Sequence, residues 1–219
     1  MLHTNNLKFS YTSKAPYILD NINLNIKKGD YVSILGSNGS GKSTLIKLIL
    51  GFLKPTSGTL KLNTNKVGYV PQKVDNFNSQ FPITVKELLN CHRKILKIKD
   101  ANCINNSLKE VSMLKYKNSL IGNLSGGQRQ KIFIAKAIMG LPDVLILDEP
   151  STGIDIKSQK QIYKIIKQLN TNHNITILSV EHNIEAALSN STYIFNVKES
   201  MGNLYTKDEY INMLKKEVI

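Results

Sequence analysis

The sequence predicts an α/β fold with a mostly parallel sheet, an N-terminal antiparallel β subdomain and an inserted helical subdomain. Apolar and polar residues alternate over 2–26, which is typical of half-buried antiparallel strands. Farther along, short apolar runs alternate with helix-length segments, as they do in a parallel sheet covered on both faces. Within that alternation, 85–117 is helical and lysine-rich without a convincing strand, and this segment predicts the insert.

The elements of the parallel sheet follow in order along the chain. "YVSIL" at Tyr31–Leu35 is a short apolar strand, and a glycine-rich loop separates it from a helix over 42–52. After the next predicted strand, 66–70, and the helical insert, the pattern predicts a helix over 126–139, the strand Val144–Asp148, a helix over 156–169, a strand over 175–180, a last strand over 192–197 and a short polar helical tail.

Length and composition predict one domain. The 219 residues are 41% hydrophobic, which is enough for one substantial core. We expect a single domain over 1–219, with the helical subdomain at about 74–123 inserted in its core. No apolar run reaches the roughly 18 residues that a membrane-spanning helix needs, so the chain is not expected to span a membrane by itself.

The charge of the chain is strongly positive. Lysine and arginine number 29 against 16 acidic residues, which gives +13. Such an excess is found in proteins that bind nucleic acid or an anionic membrane surface. Only Arg93 and Arg129 are arginines, however, whereas bidentate recognition of phosphate and guanine favours arginine. We therefore attribute the charge to a general bias toward Lys, Asn and Ile, expect no nucleic acid partner, and leave attraction to a membrane surface open.

The segment "GSNGSGKST" has the G-x-x-x-x-G-K-[ST] pattern between a strand and a helix, which is the context that a phosphate-binding loop requires. Backbone N–H groups and a helix N-terminus would surround the phosphates. Lys42 would reach the β and γ oxygens, and the Ser43 hydroxyl would bind Mg²⁺. The motif predicts a P-loop NTPase core in which the nucleotide is bound by Gly36, Ser37, Asn38, Gly39, Ser40, Gly41, Lys42, Ser43 and Thr44.

Two consecutive carboxylates follow the apolar strand "VLIL". That strand would deliver Asp148 to the carboxyl edge of the sheet, where ligands bind in such folds. Asp148 can hold Mg²⁺ through water, and Glu149 can polarise an attacking water as a general base. A carboxylate pair after a strand is by itself more often a helix cap or a turn. Together with the phosphate loop it predicts a magnesium and general-base site.

The order of five motifs resembles that of the ATP-binding cassette (ABC) family over essentially the whole chain. These are the phosphate loop, Gln72, "LSGGQ", "LILDEP" and a histidine, His182, after the next strand. The most specific of them is the signature formed by Leu124, Ser125, Gly126, Gly127 and Gln128.

The resemblance implies that two copies of the chain lie head to tail around two ATP molecules. Ser125 and the N–H groups of Gly126 and Gly127 would face the γ-phosphate that the other copy holds, because bare backbone at a helix N-terminus suits an anion. The alternative is a plain N-cap serine followed by a glycine turn. ATP and Mg²⁺ are the expected cofactors.

Other positions carry over from the family one by one. Tyr11 corresponds to the aromatic residue that stacks on adenine, although Phe9 and Tyr17 lie close enough to be confused with it. Gln72 would touch Mg²⁺ or the attacking water, and 151–155 would cross the dimer interface. His182 would contact the γ-phosphate, so the expected catalytic residues are Glu149, His182 and Gln72, and the expected Mg²⁺ ligands are Ser43, Gln72 and Asp148.

The chain departs from the family pattern at three positions. Glu181 and Asn183 flank His182 where Thr or Ser and Asp are common, which puts the support of that histidine in doubt. Ser37 replaces a frequent proline, but its position supplies only a backbone N–H.

The segment 66–89 is similar to the cassettes of bacterial importers for zinc or manganese. The resemblance therefore implies an ATP-hydrolysing subunit at the cytoplasmic face of the membrane, bound to an integral membrane permease that is served by an extracytoplasmic solute-binding protein. Two alternatives stay open. One is a soluble cassette ATPase that acts on nucleic acid or the ribosome, and the other is an exporter cassette.

Overall fold

The computed structural model describes residues 1–72 and 82–217, and the chain divides into two compact units. The first unit comprises residues 1–65 together with the chain from Thr176 onward, and the second comprises Lys66–Ile175. In chain order, the strands and α-helices are β1 (Leu2–Phe9), β2 (Leu19–Ile26), β3 (Tyr31–Leu35), α1 (Lys42–Ile49), β4 (Ser57–Leu62), β5 (Val67–Val70), α2 (Val85–Ile95), α3 (Asn102–Glu110), α4 (Gly126–Ile138), β6 (Val144–Asp148), α5 (Ile156–His173), β7 (Thr176–Val180), α6 (Ile184–Asn190), β8 (Tyr193–Lys198), β9 (Met201–Thr206) and α7 (Lys207–Glu217).

The antiparallel sheet predicted for the N-terminal segment is present in the first unit. Its strand order is β2-β1-β4, and the alternating apolar residues of β1 and β2 are buried. The third strand, β4, was not predicted. Its only large apolar residues are Leu60 and Leu62, so the alternation that marks a half-buried strand is too short to stand out, and none of its six residues is fully buried.

The first unit also contains three parallel strands, with β3 between β7 and β8. All residues of β3 and β7 are buried, as the apolar runs predict for strands covered on both faces. The expectation that 192–197 is the last strand is wrong, because β9 follows and pairs antiparallel with β8. The turn between them, Glu199–Ser200, has positive φ at both residues (50° and 66°). This is the geometry of a tight two-residue hairpin, whose turn usually has the sequence Asn-Gly or Asp-Gly. The turn was not predicted because neither of these pairs occurs there.

The second unit combines a parallel strand pair with helices. β5 and β6 pair in register from Val67↔Val144 to Val70↔Leu147. The prediction that 85–117 is helical and contains no strand is confirmed for those residues, which hold α2, α3 and a short 3-10 helix at Leu114–Tyr116. A capping box starts α2, because the Thr84 hydroxyl accepts from the Glu87 N–H while the Glu87 side chain accepts from the Thr84 N–H.

The predicted bounds of the helical subdomain, 74–123, stay a prediction, and their first residues, 74–81, lie outside the described part of the chain. Among the residues that the structure describes, no helix combines the length and the apolar character needed to cross a bilayer.

Candidate nucleotide site

The phosphate loop connects β3 to α1 as the motif predicts. Its backbone turns back on itself at two glycines that no other residue could replace without a shift. A Cβ on Gly36 would lie 2.4 Å from the Val197 carbonyl oxygen, and a Cβ on Gly41, where φ is 101°, would lie 2.8 Å from a Leu19 methyl group. The narrow space around these glycines holds the loop on a tight path into the start of α1, and the first N–H groups of a helix are suited to bind an anion.

Lys42 is buried at the first position of α1, with 5% of its surface exposed. Its ammonium donates to the carbonyl oxygens of Gly36 (2.7 Å) and Ser37 (2.8 Å), so the side chain folds over the loop. Ser43, the next residue, is exposed on the first turn. A buried cation, a glycine backbone and an exposed hydroxyl within one loop fit the donor set that a triphosphate with Mg²⁺ requires.

The segment around His182 follows β7, which lies next to β3 in parallel register, with Ser33 opposite Ser179. The Glu181 N–H donates to the Ile34 carbonyl at 3.0 Å. The structure thus brings His182 and the phosphate loop to the same edge of the first unit, because both follow neighbouring parallel strands. His182 itself is exposed.

The two residues that flank His182 are held in place. Glu181 is almost completely buried, and its carboxylate accepts a hydrogen bond from the Ser179 hydroxyl at 2.5 Å. Asn183 is the N-cap of α6, and its side chain accepts from the Ala186 N–H at 3.1 Å. The departures from the family pattern therefore have structural roles, which fix the backbone on both sides of the histidine.

Tyr11 lies just after β1 and has 60% of its surface exposed, whereas Phe9 is buried in the core. The two rings meet edge to face, with centroids 5.0 Å apart. Tyr17 is half-buried, and the Lys8 ammonium lies 5.3 Å from its ring centroid. Of the three aromatic residues, Tyr11 offers the most free ring surface for stacking on a base, which favours it for that role.

In the second unit, Asp148 and Gln72 lie at one edge because β6 and β5 are parallel neighbours. Asp148 is the buried last residue of β6, and Gln72 is exposed two residues after β5 ends. The charge of Asp148 also acts on Tyr69 of β5. Burial raises the pKa of the Tyr69 hydroxyl, and the carboxylate raises that pKa further. A negative charge is thus placed where a cation is expected.

Glu149 has an unusual backbone. Its φ is 52°, a left-handed conformation that costs a side-chain-bearing residue about 1–2 kcal/mol. Thr152 secures this turn, because its hydroxyl donates to the Glu149 carboxylate at 3.1 Å and its N–H donates to the Glu149 carbonyl at 3.3 Å. Nine other described residues that are not glycine also have positive φ, so it is the position of Glu149 directly after β6 that links this turn to the site. The sequence analysis included Thr152 only in the interface segment 151–155 and did not link it to Glu149, although its position three residues after the predicted base was a usable signal.

The signature starts α4, and Ser125 is its N-cap. The Ser125 hydroxyl accepts from the Gln128 N–H at 3.3 Å, and the Gln128 side chain accepts from the Ser125 N–H at 2.9 Å. The capping role weighed in the sequence analysis is therefore real. It does not compete with anion binding, because the hydroxyl accepts in the cap and keeps its own proton to donate. The anion-binding role stays a prediction.

The two signature glycines differ in their surroundings. Gly127 is buried, and a Cβ there would lie 2.6 Å from the Ser158 Cβ on α5, so α4 and α5 meet at bare backbone. A Cβ on Gly126 would meet no atom within 4 Å. Packing inside the chain explains Gly127, whereas only Gly126 faces open space.

The segment 151–155 is tied to α5. Asp155 is the N-cap of that helix and accepts from the Ser158 N–H at 2.9 Å. The Gln159 amide donates to the carbonyls of Ser151 (3.1 Å) and Ile154 (2.8 Å), and the Ser151 and Tyr163 hydroxyls are 2.8 Å apart. The predicted interface segment therefore has a defined conformation.

Comparisons with known proteins agree with this geometry. A family model described as ABC transporter matches residues 19–152, more than half of the chain. A protein of Treponema pallidum named "Probable metal transport system ATP-binding protein" is 46% identical over 218 residues, which cover 98% of this chain and 91% of that protein. The zinc uptake system ATP-binding protein ZurA of Listeria innocua is 38% identical, with coverage of 90% and 81%.

Among solved structures, a dimeric ATP-binding cassette in a post-hydrolysis state, bound to ADP and Pi, matches with a TM-score of 0.77 and 27% identity. The match covers 94% of this chain and 99% of that one.

Proposed function

The chain belongs to the ABC transporter family, and on that premise we propose that it is the ATP-hydrolysing subunit of a transporter that imports a divalent transition metal, zinc or manganese. The main support for a metal as the cargo is the 46% identity, over nearly the whole chain, to a protein named "Probable metal transport system ATP-binding protein". The named zinc uptake relative supports the same cargo class. Because both relatives carry transport names, they favour transport over the soluble ATPase that acts on nucleic acid or the ribosome.

Binding of ATP would rest on the phosphate loop and Tyr11. Backbone N–H groups from Gly36 to Thr44 would receive the phosphates, while the Lys42 ammonium would exchange its two carbonyl partners for phosphate oxygens. The exposed ring of Tyr11 would stack on the base. Mg²⁺, when bound with the nucleotide, would neutralise phosphate charge, with Ser43, Gln72 and Asp148 as its proposed ligands.

Hydrolysis would use Glu149 as the general base. A carboxylate held by the Thr152 hydroxyl in a fixed turn can take a proton from the attacking water without first reorganising. His182, on a backbone fixed by Glu181 and Asn183, would donate a hydrogen bond to the γ-phosphate, and Gln72 would orient the water.

The signature would act in trans. The solved cassette that resembles this chain is a dimer with ADP and Pi. In a head-to-tail pair, the Ser125 hydroxyl and the free backbone at Gly126 would face the γ-phosphate held by the other copy.

We place the dimer at the cytoplasmic face of the membrane, bound to an integral membrane permease, with an extracytoplasmic solute-binding protein delivering the metal to that permease. The test is made in cells that lack the chain, restored either with the wild type or with Glu149→Gln. Uptake of radioactive zinc and manganese should return only with the wild type, and the tagged chain should be captured with a multi-span membrane protein from detergent extracts. Equal metal uptake by both strains would refute the proposal.

A further inference from the structure

A cavity of about 550 Å³ opens in the second unit beside the signature. Its walls are the start of α4, one face of α5 and the segment 112–116. Four cationic side chains line it: Lys115, Lys131, Lys157 and Lys164. We call this cavity the lysine groove.

The face that α5 presents to the lysine groove is polar and cationic for most of its length. Lys157, Gln161, Lys164 and Gln168 follow one another at spacings of three and four residues, so they lie in a single row along the helix. At 1.5 Å per residue, the row from 157 to 168 is about 16 Å long. The groove therefore offers a line of donors longer than a single ion needs.

Opposite charge is scarce around this row. None of the described residues that line the lysine groove carries a carboxylate. Lys131, the most enclosed of the four lysines, donates to the Gln161 side chain. Burial lowers the pKa of the Lys131 ammonium, and nearby Asp155 only partly opposes this effect. Lys131 is thus a cation that burial destabilises, and an anion in the groove would restore its stability.

Three less polar side chains also line the groove. Met113 and Ile165 are buried contributors, and Tyr116 presents a ring whose face is approached by the Lys115 ammonium, 5.0 Å from the centroid. The length of the row of cations beside these residues suits a chain of phosphates better than a single small anion.

We propose that the lysine groove binds the phosphate chain of an oligophosphate, at a site separate from the phosphate loop. Lysine ammonium groups bind phosphate as point charges, and several of them in a row match a chain of phosphates. The groove ends at Ser125 and Gln128, so its ligand would lie against the signature. The proposed ligand is a free oligophosphate, as distinct from the nucleotide that a second copy would hold against the signature.

The binding test uses the full chain with Lys42→Ala in every protein, inorganic tripolyphosphate as the probe and titration calorimetry as the readout. Lys157→Gln/Lys164→Gln removes two groove cations, and Lys160→Gln/Lys167→Gln removes two cations from the same helix that do not line the groove. The groove pair should weaken binding at least about tenfold, and the control pair less than about twofold. No binding, or equal weakening by both pairs, would overturn the proposal, since attraction to the overall +13 charge would explain equal loss.

A second arm, in the chain with Lys42 intact, separates a free ligand from the nucleotide of the other copy. For a free ligand, tripolyphosphate should inhibit ATP turnover more in the control pair than in the groove pair. A groove pair that instead raises the KM for ATP severalfold without any added tripolyphosphate would overturn the proposal, because its lysines would then serve the nucleotide of the other copy. Because the calorimetric arm involves no ATP hydrolysis, its result does not depend on the proposed transport function.

Discussion

Glu149, the proposed general base, has a left-handed backbone conformation, and the Thr152 hydroxyl donates a hydrogen bond to its carboxylate. Glu149→Gln keeps the shape and the hydrogen-bond acceptor but removes the base. We expect ATP binding to persist and turnover to fall by about 10²-fold or more, the range for loss of a general base. ATP turnover and size-exclusion chromatography with ATP should show an inactive dimer. Wild-type turnover in this variant would remove Glu149 from the role.

The two signature glycines predict opposite outcomes for the same substitution. Gly127→Ala would press a methyl group against the Ser158 Cβ, and such overpacking costs about 1–3 kcal/mol of unfolding free energy. Gly126→Ala meets no neighbour, so its unfolding free energy should stay near that of the wild type. Urea unfolding of both variants is the measurement.

Gly126→Ala then serves as the functional probe. We expect this variant to be as stable as the wild type but to hydrolyse ATP more slowly. That result would show that Gly126 is required for the close approach of a phosphate and not for folding. Equal stability loss in both variants would contradict the packing difference described for the two positions.

At the scale of an element, the start of α5 predicts a dependence on pH. Hydrogen bonds from Ser158 lower the pKa of the Asp155 carboxyl below its unfolded value. The cap therefore stabilises the fold fully above the unfolded pKa, near 3.8, and this stabilisation is lost as pH falls through the folded-state pKa.

Asp155→Asn keeps an N-capping side chain but cannot titrate. The wild type should have the higher Tm at pH 7, because a negative charge suits a helix N-terminus, and the difference should shrink as the pH approaches 3. Thermal unfolding followed by circular dichroism at several pH values measures this. A difference in Tm that does not change with pH would show that the charge of Asp155 contributes nothing to the cap.

The two strands that the sequence did not predict share a physical cause. The buried strands β3, β6 and β7 were recognised because nearly every residue in them is apolar. β4 and β9 lie largely exposed, and their pairing is determined by partners far along the chain or by a tight turn without the usual residues. Patterns within a short window contain neither kind of information.

At the scale of the whole molecule, the head-to-tail arrangement predicts complementation between two defective chains. Lys42→Ala should lose ATP binding, and Ser125→Arg should bind ATP but block hydrolysis in its partner. In a mixed dimer, the intact phosphate loop of the Ser125→Arg copy would face the intact signature of the Lys42→Ala copy. Equal mixing should therefore regain about a quarter of wild-type turnover, because half of the dimers carry one working site of two.

Each variant alone is the control and should be inactive. An active Ser125→Arg chain, or a mixture that stays inactive while mixed dimers are present, would mean that the signature does not serve the other copy's nucleotide.

The motifs predicted the strand and helix context of the candidate site because each depends on a local pattern. The loop 36–44, the carboxylates after β6 and the signature at the start of α4 all lie where strand and helix boundaries placed them. The sequence could not show the left-handed turn at Glu149 or the burial of Glu181. It also could not show that a side chain at position 127 would collide with Ser158. Those features depend on φ values and on neighbours distant in sequence.

The contact of Gly127 with Ser158 has a mechanical consequence. Ser158 also donates to Asp155, and Gln159 donates to the carbonyls of Ser151 and Ile154. The first turns of α4 and α5 are thus packed together, and the segment before α5 is hydrogen-bonded to the start of α5. We therefore expect a displacement of 151–155 to move the start of α4, and with it Ser125, through the close approach of Gly127 to Ser158.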